Sequence, residues 1–161
     1  MNTIARRLIF ALAAAALALS AAQVSAQSKD PRVGTWKLNV EKSKFSPGPA
    51  PKSIDLTIEA AGKGTHTTAT TATADGKTIT QEYTANYDGK DVPLKGSAIA
   101  NTTSLKRINK LSTMRTDKKD GKVVATLKST VSKDGKTFTV DVKSKTPKGE
   151  PVHNVLVFEK S

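Results

Sequence analysis

The tripeptide Asp-Gly-Lys occurs four times, at Asp75-Gly76-Lys77, Asp88-Gly89-Lys90, Asp120-Gly121-Lys122 and Asp134-Gly135-Lys136. No other feature restricts the fold as much. Asp-Gly tolerates the positive φ of a tight reversal, so between extended runs it marks a β-hairpin. Gly62-Lys63-Gly64 and Pro147-Lys148-Gly149 supply two further reversals, and Asn109-Lys110 a third. The runs between them are rich in Thr, Val, Ile and Tyr, which suit a pleated surface better than a helix. They predict nine strands, near 34–40, 53–61, 64–74, 77–87, 101–108, 110–118, 122–132, 136–146 and 151–159. Short, regular connections imply that strands pair antiparallel in sequence order. Such a ribbon must dispose of its edges, and rolling up does so. The expectation is an all-β fold: an antiparallel up-and-down β-barrel of 8–9 strands.

Alternation sorts the side chains by face. Ile54, Leu56 and Ile58 share one face of their strand, as do Phe138, Val140 and Val142 of theirs. Leu156 and Phe158 oppose Val155 and Val157, so the last strand reads as buried on both faces at one end. Elsewhere the inward positions are small or polar, with Thr or Ala over 64–74 and Gln81 beside Ile79, Tyr83, Ala85 and Tyr87. A barrel filled by side chains would place bulky apolar residues at every inward position. This pattern suits a hollow one, and equally a loosely specified sheet. Residues 43–52 stand apart because Pro47, Pro49 and Pro51 exclude a helix and a central strand. They read as an extended cover over one barrel mouth or as a rigid linker.

Residues 1–26 have a different character. Arg6 and Arg7 precede an apolar run from Leu8 to Ala22, and Val24-Ser25-Ala26 is a small-residue processing site. These are the three parts of a secretory signal, with cleavage expected after Ala26. The run is shorter than the ~20 residues of a membrane span. Ala5 and Ile9 depart from the twin-arginine pattern, so general secretion to the periplasm or exterior is expected. The remaining residues, 27–161, form one domain of ordinary size. The whole chain carries 26 basic and 14 acidic side chains; without Arg6 and Arg7 the balance is +10. Cysteine is absent, which excludes disulfides, thiolate metal sites and lipid attachment at an N-terminal Cys.

Gly34-Thr35-Trp36 opens the first strand. A Gly-x-Trp there, followed by an unbroken hairpin meander, resembles the calycin signature of lipocalins and fatty-acid-binding proteins. The stretch GTWKLN…KSKFSPGPAPKS also resembles small secreted bacterial lipocalin-like proteins along nearly all of 27–161. The resemblance implies a barrel that binds small apolar molecules. It also implies a Trp packed across the closed end, often under a basic side chain from a late strand. This chain departs from both groups. It lacks the lipocalin's helix after the barrel, and it has only the Pro-rich stretch where the fatty-acid-binding proteins insert two helices.

The candidate lumen residues are Trp36, Tyr83, Tyr87 and Arg107. Trp36 is first a floor-packing residue and second a ligand contact. Tyr83 and Tyr87, four apart on a strand, face the same way and offer hydroxyls, or are ordinary core or surface aromatics. Arg107 has three readings: an anchor for an acidic head, a cation on Trp36, or a surface residue. Arg115 is expected to be exposed near the turn at 117–121. His66 and His153 lack metal-ligand spacing and read as structural or surface residues. Thr65, Thr67, Thr71 and Thr73 share a face and read as good strand formers rather than a flat binding ladder.

No nucleophile motif, phosphate loop or paired carboxylates are present, so no catalytic residues, metal or cofactor are expected. The lysines are dispersed and aromatic content is 4%, which argues against nucleic acid. The leading reading is a monomeric binding protein that holds a small hydrophobic or amphipathic molecule in the barrel lumen. The alternative is a cavity-less interaction module whose Lys-rich exterior meets anionic surfaces or partner proteins. An enzyme on the same barrel is a minor third.

Overall fold

A computed structural model describes residues 29–161. The signal segment and the cleavage point after Ala26 lie outside the described residues. Ten antiparallel strands follow: β1 Gly34–Leu38, β2 Ser53–Ala61, β3 Gly64–Ala72, β4 Thr78–Asn86, β5 Val92–Pro93, β6 Thr102–Arg107, β7 Ser112–Lys119, β8 Lys122–Val131, β9 Thr137–Lys145 and β10 Pro151–Lys160. The order across the sheet is β4-β3-β2-β1-β10-β9-β8-β7-β6-β5, so the first and last strands pair and the remaining rims are β4 and β5.

Those rims meet, which rolls the sheet into a nearly closed barrel. Glu82 and Lys95 exchange backbone hydrogen bonds of 3.2 and 3.0 Å, and the Gly89 N–H donates to the Leu105 carbonyl at 2.9 Å. The expected count of 8–9 strands missed β5, only two residues long. Pro93 has no N–H to donate, so the ladder cannot extend through it. Asp88-Gly89 does not close an ordinary hairpin: β4 and the chain that follows share one isolated bridge, Glu82 to Lys95, and Asp88 bridges to Lys106 of β6 instead. Asp120-Gly121, by contrast, is a two-residue reversal with φ of +50° and +79°.

The seam depends on Gly96. Its φ is +73°, and a Cβ there would sit 1.8 Å from the Thr80 carbonyl oxygen. Gly96→Ala therefore forces the seam apart, and we expect a loss of about 2–4 kcal/mol. Urea unfolding measures it; an unchanged midpoint would show that the rims do not depend on this contact.

Strand direction defines the two ends. The connections after β1, β3, β5, β7 and β9 crowd one end, the mouth. Residues 30–33 and the connections after β2, β4, β6 and β8 form the other, the floor. The Pro-rich segment belongs to the mouth. Lys44 and Val155 exchange backbone bonds, the His153 N–H donates to the Ser46 carbonyl at 2.8 Å, and Phe45, Pro49 and Pro51 wall one side of the opening.

Two apolar clusters pack the barrel interior. One joins Trp36, Leu56, Ile58, Val131, Phe138, Val140 and Phe158; the other joins Tyr83, Ala85, Leu94, Ala100 and Leu105. Alternation accounts for the first: Leu56 and Ile58 of β2, Phe138 and Val140 of β9, and Phe158 of β10 point inward together.

Candidate functional site

Above this packing lies a cavity of about 160 Å³. Its apolar wall includes Ile54, Leu56, Leu127, Val140 and Leu156, and its polar groups are Arg32, Thr67, Thr71, Gln81, Tyr83, Arg115 and Ser129. It shares Ile54, Thr71 and Leu156 with a mouth cleft of about 440 Å³ under the Pro-rich segment. The enclosed part alone is smaller than the roughly 300–1,000 Å³ of drug-sized sites; with the cleft the space reaches that range.

The two arginines in this cavity are held differently. Arg115, on β7, has a side chain only 14% exposed. Its Nε and Nη2 donate to Asp117 at 2.7 and 2.8 Å, and Thr103 donates to the same carboxylate at 2.6 Å. The guanidinium lies 4.7 Å from the Tyr83 ring centroid. The expectation of an exposed Arg115 is thus corrected. Thr113, Arg115 and Asp117 alternate inward, and the turn begins only after Lys119. Alternation carried the signal, since Arg115 and Asp117 are two apart on one strand and share its inner face.

Arg32 precedes β1 and is 3% exposed, and its guanidinium has no carboxylate oxygen within 4 Å among the described residues, although its backbone N–H donates to Asp30 at 3.0 Å. Its Nη1 donates to the Tyr87 hydroxyl at 3.1 Å, and its Nε has no partner. Thr67 Oγ1, also on the cavity wall, is buried without a partner. No periodicity marks a residue ahead of the first strand, so sequence reasoning passed over Arg32. Burial alone would push the Tyr83 phenol up; the Arg115 and then the Arg32 charge outweigh it and hold the phenol below its usual value. The upper barrel is thus apolar and its base electropositive.

Of the four residues singled out from sequence, Tyr83 lines the cavity. Trp36 lies below it, fully buried, its Nε1 donating to the Arg32 carbonyl at 2.9 Å and its ring 5.3 Å from that of Phe138. The cation over Trp36 is Lys160 of the last strand, at 5.0 Å. Tyr87 directly after β4 and Arg107 at the end of β6 lie at the floor, where Arg107 stacks on the Tyr87 ring at 3.7 Å. Both bind Asp30: the Tyr87 hydroxyl donates to it, and Arg107 Nη2 does so at 2.8 Å. Of the threonines, Thr67 and Thr71 face the cavity.

This floor network ties down the segment that leads into β1. Burial would push the Asp30 carboxyl up, but Tyr87, the Arg32 backbone N–H and Arg107 outweigh it and hold it below its ordinary value. A depressed carboxyl stabilises the fold above its unfolded pKa, and that contribution is lost as pH falls through the folded value. The floor should therefore loosen only below about pH 4. Hydrogen exchange of the Trp36 indole N–H would accelerate there. In Asp30→Asn it would be fast already at neutral pH and flat across this range; an identical acid profile in the variant would refute the role of Asp30.

Among the described residues the chain is a helix-free antiparallel barrel closed at one end over a buried Trp. No protein-family model matches the chain, and no curated protein matches it. Among solved structures it is similar to a zebrafish ileal bile acid-binding protein crystallised with cholic acid, with a TM-score of 0.52 and 11% sequence identity. The match covers 81% of this chain and 99% of that one. At that identity the likeness speaks for the fold.

Proposed function

We propose that this chain is an exported, monomeric binding protein that holds a small amphipathic molecule, with its apolar tail in the barrel and its anionic head on Arg32. The observation that carries the reading is Arg32 itself. A buried guanidinium that reaches Asp30 only through the Tyr87 hydroxyl, and whose Nε has no partner, is costly unless something anionic completes it. The open space next to it is lined by aliphatic side chains that favour a hydrocarbon tail. Arg115 is already neutralised by Asp117 and serves the site through the Tyr83 ring and the shape of the base. Rims that bridge within one chain support a monomer. The signal-like residues 1–26 support export.

Titration with decanoate and decanol, read by displacement of a hydrophobic dye, tests this. The two probes share a tail and differ in the charge of the head. Decanoate should bind about tenfold or more tightly, the value of a charge-assisted hydrogen bond out of water. Equal affinities would remove the anionic head from the proposal, and no displacement by either would remove the ligand. Native mass spectrometry of the purified protein should show a co-purified small acid.

A further inference from the structure

The mouth end of the barrel carries side chains that a protein ordinarily hides. Four large hydrophobic residues are exposed among those described, and three of them sit at the mouth: Ile79 at the start of β4, Ile99 between β5 and β6, and Val123 at the start of β8. Val123 is the most exposed, at 58%. A β-bulge holds it out, because Asp117 pairs with Ala125 and Lys118 with Val123, leaving Val124 over. Ile99 and Val123 line one open cleft of about 640 Å³ together with Lys119, Lys143 and Lys145.

The charge at this end is mainly positive. Lys119 and Lys122 flank the β7–β8 turn, and Lys145 and Lys148 flank the β9–β10 turn; none has a carboxylate within 4 Å among the described residues. The acids nearby are spoken for or few. Asp75 pairs with Lys77 and Asp91 with Lys118, while Asp120, which accepts from the Asn101 side chain at 2.8 Å, and Glu41 and Glu150 have no cation within 4 Å among the described residues.

We propose that the mouth is a docking surface for an anionic lipid bilayer, with Ile79, Ile99 and Val123 entering the interface and the lysine collar meeting the headgroups. A soluble polyanion would use the lysines but would have no need of apolar side chains at the loop tips. A bilayer takes both, apolar groups at the acyl boundary and lysines at the anionic surface. In this orientation the opening into the lumen faces the lipid. The proposal does not depend on the occupant of the lumen, since vesicle binding needs none.

The test uses a chain beginning at Gln27, because every contact described lies within residues 29–161 and the apolar segment 8–22 would itself partition into lipid. It should co-sediment with phosphatidylglycerol vesicles, hardly at all with phosphatidylcholine vesicles, and less as salt rises. Each lysine at such a surface contributes about fivefold to partitioning, so Lys119→Gln with Lys122→Gln should weaken binding roughly 10- to 30-fold. Lys133→Gln with Lys136→Gln removes the same charge from the floor end and should change binding less than about twofold. The chain has no cysteine, so Val123→Cys and Ile108→Cys each carry one environment-sensitive dye. The dye at 123 should shift to the blue on anionic vesicles, and the dye at 108, on the floor, should not. Urea midpoints of all variants should match the parent, so that a change in binding is not a change in folding. Three results would overturn the proposal: equal binding to both lipids, equal effects of the mouth and floor lysine pairs, or a silent dye at 123. So would retention on heparin without vesicle binding, which would point to a soluble polyanion.

Discussion

Arg115→Ala is expected to lower the stability of the barrel by about 3–5 kcal/mol, the largest effect of any single change proposed for this chain. The reason is what it leaves behind. The Asp117 side chain is only 8% exposed, and its two oxygens are held by Arg115 Nε and Nη2 and by Thr103. Without the guanidinium, a carboxylate stays in the barrel interior with a single hydroxyl donor. It must then take up a proton or draw in water, and the Tyr83 ring loses the cation 4.7 Å from its centroid. Replacing both partners, Arg115→Met with Asp117→Leu, removes the stranded charge and should recover most of the loss, because a buried ion pair and a well-packed apolar pair are often of similar worth. Urea unfolding of the two single variants and the double variant decides it. A loss under about 1 kcal/mol for Arg115→Ala would mean that the pair is effectively solvated.

Arg32→Met should behave in the opposite way, although Arg32 is the more deeply buried of the two. No carboxylate is stranded by its removal. The Tyr87 hydroxyl keeps Asp30 as its acceptor, and the Trp36 indole still donates to the residue 32 carbonyl, which belongs to the backbone. Methionine retains a flexible apolar stem over the Phe138 ring. Stability should therefore stay within about 1 kcal/mol of the parent or rise, as expected when a buried charge is replaced by an apolar group. The cost falls on binding: the preference for decanoate over decanol, about tenfold or more, should vanish while affinity for the alcohol holds. Destabilisation by several kcal/mol with the preference intact would make Arg32 a structural residue. It would also move the proposed head site elsewhere.

The two arginines differ because of what lies beside them, and only part of that is written locally. Arg115 and Asp117 are two residues apart on a strand, so their shared face follows from the pleat once β7 is placed correctly. Reading Asp117 as the start of a turn hid this. Arg32 offers no such cue. Its burial comes from Trp36 of β1, Phe138 of β9 and Tyr87 just after β4. The floor pairing of Asp30 with Arg107 spans 77 residues and has no counterpart in any local pattern.

The sequence by itself determined the meander. Its Asp-Gly reversals, its β-branched runs and the inward row of Ile54, Leu56 and Ile58 act over a few residues, through backbone φ and side-chain alternation. Nine of the ten strands lie where those local rules put them. Only the tertiary structure decided how the rims meet at Lys95 and Gly96, which cations point into the cavity, and which of them found a carboxylate. Closing a barrel brings together groups that share no neighbourhood in the chain, and the electrostatics of a buried site depends on those meetings rather than on any one segment.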